Sequence, residues 1–340
     1  MPERVVIDTD PGIDDAMALL LALQSPELEV AAITTVCGNV PVDMATRNVF
    51  TVLSLLPDSK EPPVARGASR PLQKMPSYAT FLHGNDGLGG LDRFRNDAGN
   101  SLYPPPAQTL SERHAVEEIL FQINTAPQPV TVIALGPLTN IALAIQKDRN
   151  TMARAKKIVS MGGAISVSGN VTPVAEFNVF VDPHAARIVF AAGIPLTVVP
   201  LDVTRQVQLT RSRLAEAVAA RPSAAAQFLL DCTEQAFDMG EERTGEAVIN
   251  LHDPLAVATV IDASFVSTER LHVEIETSGD ISEGMTVADR RPIKPSLKQA
   301  PNAAVCLQVD AARFLSFFLD RVICPLSLSS EAPTKRAPSG

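Results

Sequence analysis

No lysine or arginine lies between Arg4 and Arg47, yet Asp8, Asp10, Asp14 and Asp15 crowd into eight residues of that gap. Carboxylates this close repel one another and are costly to desolvate without a partner. The chain offers no side-chain cation nearby, so a bound metal ion is the natural counter-charge. Basic tracts are missing elsewhere too. The chain has 29 Lys+Arg against 38 Asp+Glu, a net charge of −9. Nothing in it resembles the basic stripe that follows a nucleic-acid backbone, so nucleic acid is not an expected partner. A neutral or cationic small substrate suits this balance better than a polyanion. Cysteine is scarce, and Cys37, Cys232, Cys306 and Cys324 lie far apart with no C-x-x-C spacing. That pattern excludes a zinc site or disulfide framework and reads as reduced, largely buried thiols of a cytoplasmic protein. No apolar run of about 20 residues exists, so no membrane span is expected. Strand pattern starts almost at once, without a positive-then-apolar leader.

What is present is a strong alternation. Apolar runs of strand type occupy 4–9 (RVVIDT), 28–34, 129–135, 157–161 and 195–200, and helix-like runs fall near 14–24, 41–56, 110–124, 137–147 and 182–192. The strands are continuously apolar, as expected when helices cover both faces of a parallel sheet. Asp182-Pro183 supplies an N-cap followed by proline at the first helical position, and Gly193 supplies a stop. The expected fold is therefore α/β, an open, doubly wound, mainly parallel sheet flanked by helices. A single domain over 1–326 is expected, followed by a tail (327–340) of disordered composition. Two stretches, 66–108 and 162–178, break the alternation, and loops this long in a compact domain tend to be functional.

In open α/β sheets ligands sit beyond the carboxyl ends of the strands. Polar residues follow each early strand here: the four aspartates, then Gly38-Asn39, then GPLTN after Leu135, then GGAISVSGNVTPVAEFN after Met161. They converge on one rim.

The segment DTDPGIDDAMAL resembles the N-terminal signature of the inosine-uridine preferring nucleoside hydrolases. The resemblance continues in order through TTVCGNV (34–40), HGNDGLGG (83–90), ALGPLTNIA (134–142), MGGA with GNVTPVAEFNVFVDP (161–183), HDPLAVA (252–258) and EGMTVADRR (283–291). It implies the nucleoside hydrolase version of a Rossmann-like fold and hydrolysis of the N-glycosidic bond of ribonucleosides such as inosine or uridine. A homodimer or homotetramer is implied as well. The implied cofactor is Ca2+, held by Asp10, Asp15, the Leu135 carbonyl and Asp253, which agrees with that ion's demand for six to eight oxygen ligands. Asp10 would activate the attacking water. His252 would protonate the departing base, as in purine-competent members, with His83 close to the base. Asp14 and Asn39 would bind the ribose towards its 2′ hydroxyl, Asn178 the 3′ hydroxyl, and Asn170 with Glu176 the 5′ side.

The residues themselves support these roles. Cleavage through an oxocarbenium-like sugar needs a presented water and help for the leaving group. Histidine is the side chain suited to the second task. Of the five histidines, His114, His184 and His272 read as structural. Asp8 reads as a cap for the helix starting near Asp14. Sites that pair each hydroxyl reject analogues lacking one, so 2′-deoxynucleosides should be poor substrates. Glu176 near the 5′ position should also disfavour 5′-phosphates.

The chain departs from the resemblance in having no tryptophan. Indole stacking on a purine is excluded, leaving His252, Phe or Tyr packing, or a pyrimidine substrate that needs less activation. Tyr78, Phe81, Phe177 and Phe237 are the aromatic candidates; the 77–90 loop and the helix near 227–243 are expected to border the base. Two rivals stand beside this reading. Asp8-Thr9-Asp10 also fits a haloacid-dehalogenase-like, Mg2+-dependent phosphohydrolase with Asp8 as nucleophile. A non-catalytic nucleoside- or ribose-binding protein would use the metal only to organise its pocket. GNDGLGG is a weak dinucleotide motif, since it opens no GxGxxG turn.

Overall fold

The computed structural model describes residues 1–56, 61–104, 107 and 109–323. The expected C-terminal tail and Cys324 lie outside them. The strands are β1 (Glu3–Thr9), β2 (Leu28–Thr35), β3 (Val64–Arg66), β4 (Thr131–Ala134), β5 (Lys157–Met161), β6 (Leu196–Val199), β7 (Gln208–Thr210), β8 (Val248–Asn250), β9 (Val266–Leu271), β10 (Val273–Ile275), β11 (Thr286–Ala288) and β12 (Ala303–Val309). Eight of them form one sheet in the order β3-β2-β1-β4-β5-β6-β12-β9. All its pairings are parallel except the last, where β9 runs antiparallel to β12. β7 pairs with β8, and β10 with β11, as separate ribbons.

The helices are α1 (Ile13–Leu23), α2 (Val42–Leu53), α3 (Thr80–His83), α4 (Ala115–Thr125), α5 (Thr139–Lys147), α6 (Arg149–Met152), α7 (Phe177–Val181), α8 (Pro183–Phe190), α9 (Leu201–Thr204), α10 (Arg211–Ala220), α11 (Ala224–Thr244), α12 (His252–Ile261) and α13 (Ala311–Ile323). None of them is long and apolar enough to cross a membrane.

Two cores explain why the strands are apolar at successive positions. Val5 and Ile7 enter one core with Ile33, Ile133, Val159 and Val199, beneath α1, α11, α12 and α13. Val6 enters the other with Ala32, Val132, Ile158 and Val198, beneath α4, α5 and α8. A strand covered on both faces has no solvent side to mark with polar residues. Helix α1 follows the same logic: nine of its eleven residues are buried, so it lies inside the protein. Each leucine of its Leu19-Leu20-Leu21 run contributes about 1.5–3 kcal/mol by burial.

The chain winds outward from β1 through β2 to β3, then returns to the other side of β1 with β4, β5 and β6. The switch point therefore falls between β1 and β4, at the ends that carry Asp10 and Leu135. Helix α5 begins at Thr139, not at Pro137, because Leu138 occupies the cap position. Asp182 caps α8 through the Ala185 N–H, with Pro183 at the first position, and Gly193 takes a positive φ.

Asp8 does not cap α1. It sits inside β1, fully buried, where its Oδ1 accepts from Thr34 Oγ1 (2.5 Å) and Asn140 Nδ2 (2.8 Å). Burial raises its pKa to about 7. A strand-end carboxylate locked between neighbours is out of reach as a phosphoryl nucleophile, which removes the phosphohydrolase scheme. The helix start uses Asp15 instead, whose carboxylate accepts the Gly12 N–H at 3.0 Å.

Candidate active site

Two helix N-termini meet at the switch point. Helix α1 presents Asp14 and Asp15 in its first turn, and α12, packed against α1, presents His252 and Asp253. Both termini favour negative charge, which offsets part of the cost of gathering acids there. One carboxylate oxygen each from Asp14, Asp15 and Asp253 lies within 4.8 Å of the others.

Asp10, just past β1, completes the cluster. Its Oδ2 accepts the Asn39 N–H at 2.6 Å, while its Oδ1, also buried, has no hydrogen-bond partner among the described residues. Glycines bracket this carboxylate. A Cβ on Gly38 would stand 2.0 Å from Oδ2, and one on Gly136 would stand 2.3 Å from Oδ1. Asp15 is held by Thr9 Oγ1 (2.5 Å), by the Gly12 N–H and by Asn39 Nδ2 (3.0 Å). Every charge acting strongly on Asp10, Asp14 and Asp253 is another carboxylate, and burial plus that repulsion pushes all three pKa values up, Asp14 to about 7. An orphaned buried oxygen and converging carboxylates, with no cationic side chain beside them among the described residues, make a donor set that fits a hard divalent cation.

Above the acids opens a cavity of about 700 Å3. Nine of the eleven residues singled out from the sequence line it: Asp14, Asn39, His83, Leu135, Asn170, Glu176, Asn178, His252 and Asp253. Asp10 and Asp15 lie just beneath, joined to Asn39. On the far wall, Glu176 is the N-cap of α7 and accepts the N–H groups of Asn178 and Val179, together with that of Gly163. Its burial raises its pKa. Asn178 Nδ2 donates to the Leu135 carbonyl at 2.6 Å, so the two residues reach the cavity as a pair. Asn170 Oδ1 accepts the Phe177 N–H at 2.9 Å, and its amide nitrogen has no hydrogen-bond partner among the described residues.

The two histidines border the acids, His252 beside Asp253 at the start of α12 and His83 on the N–H next to Asp14. His83 Nδ1 accepts the Ile13 N–H at 3.1 Å, which leaves the ring proton on Nε2. Gly12 permits this approach, since a Cβ there would stand 2.6 Å from that nitrogen. His252 Nδ1 lies 2.7 Å from Thr204 Oγ1. Burial drives both pKa values down to about 4, with Arg205 and His83 adding repulsion at His252. Burial thus favours the neutral form of both rings. The glycine-rich segment behind His83 is a turn wrapped around Asp86, whose carboxylate accepts the N–H groups of Leu88, Gly90 and Leu91. Its glycines serve that turn, four of them at positive φ.

Of the aromatic candidates, Phe81 and Phe177 line the cavity, whereas Phe237 belongs to the core. The end of α11, in the helix expected to border the base, contributes Met239, Gly240 and Arg243 to the cavity wall. Sequence reading missed Arg205, Gln208 and Asn250, which complete the wall. Arg205 follows β6 on the same rim, so reading past that strand as past the others would have found it. Gln208 and Asn250 face each other across the β7–β8 ribbon, whose three-residue strands give no periodic signal.

A mainly parallel sheet with an acidic, cation-fitting pocket at its switch point defines an α/β enzyme. Comparison with known proteins makes this specific: residues 5–316 match the family model for inosine-uridine preferring nucleoside hydrolases, and the chain belongs to that family. It is 38% identical over 325 residues to the inosine-uridine preferring nucleoside hydrolase of Leishmania major, across 94% of this chain and 97% of that protein. It is also 38% identical over 320 residues to the pyrimidine-specific ribonucleoside hydrolase RihA of Salmonella arizonae, with the same coverage of 94% and 97%. A solved plant nucleoside hydrolase superposes with a TM-score of 0.85 at 33% identity, covering 96% of this chain and all of that one (100%).

Proposed function

We propose that this enzyme is a Ca2+-dependent nucleoside N-ribohydrolase that cleaves ribonucleosides, inosine and uridine among them, to ribose and free base. The observation that carries the reading is the acidic cluster with no cationic side chain beside it among the described residues, set beneath a cavity lined by the polar side chains of Asp14, Asn39, Asn170, Glu176 and Asn178. Asp10, Asp15, Asp253 and the Leu135 carbonyl would hold the ion, and Asp14 is near enough to Asp15 and Asp253 to share its charge. When bound, calcium supplies a positive charge for the ribose diol and lowers the pKa of water.

The chain's own groups then have distinct tasks. Asp10, with one oxygen committed to Asn39 and the other unpartnered, takes the proton of the attacking water. Asp14 and Asn39 bind the ribose towards its 2′ hydroxyl, Asn178 binds the 3′ hydroxyl, and Asn170 and Glu176 receive the 5′ side. His252 and His83 face the base, and His252, once its ring has taken up a proton from solvent, delivers the Nε2 proton to the departing base and returns to the neutral ring, so the base leaves neutral. Their neutral resting state favours hydrogen bonding to an uncharged ring over attraction of an anion.

The test is ribose release from inosine, uridine, cytidine and adenosine, with and without a calcium chelator. Chelator-sensitive release, restored by calcium, is the expected result. Release unaffected by chelation would overturn the metal assignment; calcium-dependent nucleoside binding without release would make the protein a binder. Asp10→Ala should retain nucleoside or metal binding while losing turnover by roughly 10²–10⁴-fold, the range for a general base.

A further inference from the structure

We propose that Thr204 is the positioning residue of His252, fixing the direction in which that ring offers its pocket-side nitrogen. The inference rests on the reading of His252 as the group that assists base departure. It starts from a hydroxyl that breaks a habit. A threonine within a helix ordinarily turns its hydroxyl back to a carbonyl three or four residues earlier. Thr46, Thr125, Thr233 and Thr259 all do so here, at 2.6–2.8 Å. Thr204 ends the short helix α9, and its N–H bonds the Pro200 carbonyl at 3.2 Å. Its hydroxyl instead points away, 2.7 Å from His252 Nδ1.

The hydroxyl has no other hydrogen-bond partner among the described residues, and Thr204 is fully buried. His252 lines the cavity whereas Thr204 does not, so the hydroxyl holds the ring from behind and leaves Nε2 towards the substrate. Thr204 is itself held rigidly. The Asp202 carboxylate accepts the N–H groups of Ile165 and Ser166, both at 2.8 Å. Arg205 donates to the carbonyls of Ser168 (2.9 Å) and Gly169 (2.6 Å). The turn that carries Thr204 is thereby pinned to the loop that carries Asn170.

Hydroxyl chemistry suits the task. It can donate to a bare Nδ1 or accept from Nδ1–H, so the contact survives whichever ring nitrogen holds the proton. A carboxylate or a backbone carbonyl could only accept, and would hold the ring in one tautomer.

The experiment compares Thr204→Val, Thr204→Ser, His252→Ala and the Thr204→Val/His252→Ala double variant on inosine and on a nitrophenyl riboside, whose leaving group needs no proton. Thr204→Val should lower kcat on inosine about tenfold or more, a fraction of the 10²–10⁴ attributable to a positioned proton donor. Its KM should stay within about twofold and its nitrophenyl riboside turnover within about threefold. Thr204→Ser should restore most of the loss, and in the His252→Ala background Thr204→Val should add nothing. Thr204→Ala gives the same comparison should valine not be accommodated. Wild-type inosine turnover in Thr204→Val, while His252→Ala is impaired, would overturn the proposal. So would an equal loss on both substrates that adds fully to that of His252→Ala, which marks a structural role. If His252→Ala alone loses nothing on inosine, the underlying reading of His252 fails instead.

Discussion

Replacing Gly38 by alanine adds one methyl group beside Asp10, and the structure sets the size of the effect. The new Cβ would stand 2.0 Å from Asp10 Oδ2 and 2.7 Å from Pro137 Cδ, whereas ordinary contact begins at 3.4 Å. The carboxylate therefore has to retreat by about 1.4 Å, and Gly136 blocks the space beyond its other oxygen. Gly38 is not among the glycines at positive φ, so alanine meets no backbone penalty of its own there. A displacement of about 1 Å at a reacting group costs on the order of 10² in rate, equivalent to about 2.7 kcal/mol on the barrier. Overpacking adds about 1–3 kcal/mol of lost stability. The assay is kcat for ribose release from uridine and inosine at saturating calcium, alongside a urea unfolding curve. Gly193→Ala is the control, since it has φ +75° but nothing within 4 Å. It should cost about 1 kcal/mol of stability and leave kcat unchanged. Wild-type turnover in a folded Gly38→Ala protein would refute the placement of Asp10 at the reacting centre.

Other outcomes follow from the same geometry. The groups assigned to the 2′ hydroxyl lose their partner in 2′-deoxyuridine, so its kcat/KM should fall about 10⁴-fold below that of uridine; a ratio under about ten would refute that assignment. Asn140 is fully buried, donates to Asp8 and to the Thr35 carbonyl, and accepts the Ala68 N–H. Asn140→Ala should lower stability by about 3 kcal/mol, read as a reduced urea midpoint at unchanged slope. Burial pushes the Cys37 and Cys306 thiols up to about 12 and raises that of Cys232 as well. Native protein at pH 8 should leave all three unmodified by iodoacetamide, and full labelling should require denaturant. Rapid labelling of Cys37 in the folded protein would contradict its burial.

The parallel half of the fold was legible because burial on both faces writes itself as unbroken apolar runs, as in Val5-Val6-Ile7. The site was legible for a related reason: Asp10, Asn39, Leu135 and Glu176 each follow a strand on the rim where the topology reverses. Asp8 was misread because spacing alone cannot separate a carboxylate that closes a strand from one that opens a helix. That distinction depends on Thr34 and Asn140, distant in sequence. Strand β9 was missed because Ser267, Thr268, Glu269 and Arg270 are exposed and polar on an edge, with no apolar run to reveal it. Thr204 carries no sequence signal of its kind at all, since its role depends on where a hydroxyl points.

The segment from Ala79 through the turn around Asp86 meets the acidic floor through the Ala79 N–H on the Asn39 carbonyl, through His83 on the Ile13 N–H, and through Asn48, which donates to the carbonyls of both Pro11 and Asp86. The groups assigned to the sugar come from the rim and the helix starts, while the remaining wall is built by Ala79, Phe81, Leu82 and His83 of this segment, the end of α11 and the β7–β8 ribbon. None of those three supplies a carboxylate to the floor. On the proposed reading, substitutions there are expected to shift the ratio of uridine to inosine turnover without removing the machinery that breaks the bond. The enzyme would in this sense be modular: a fixed cutting edge with an interchangeable gauge.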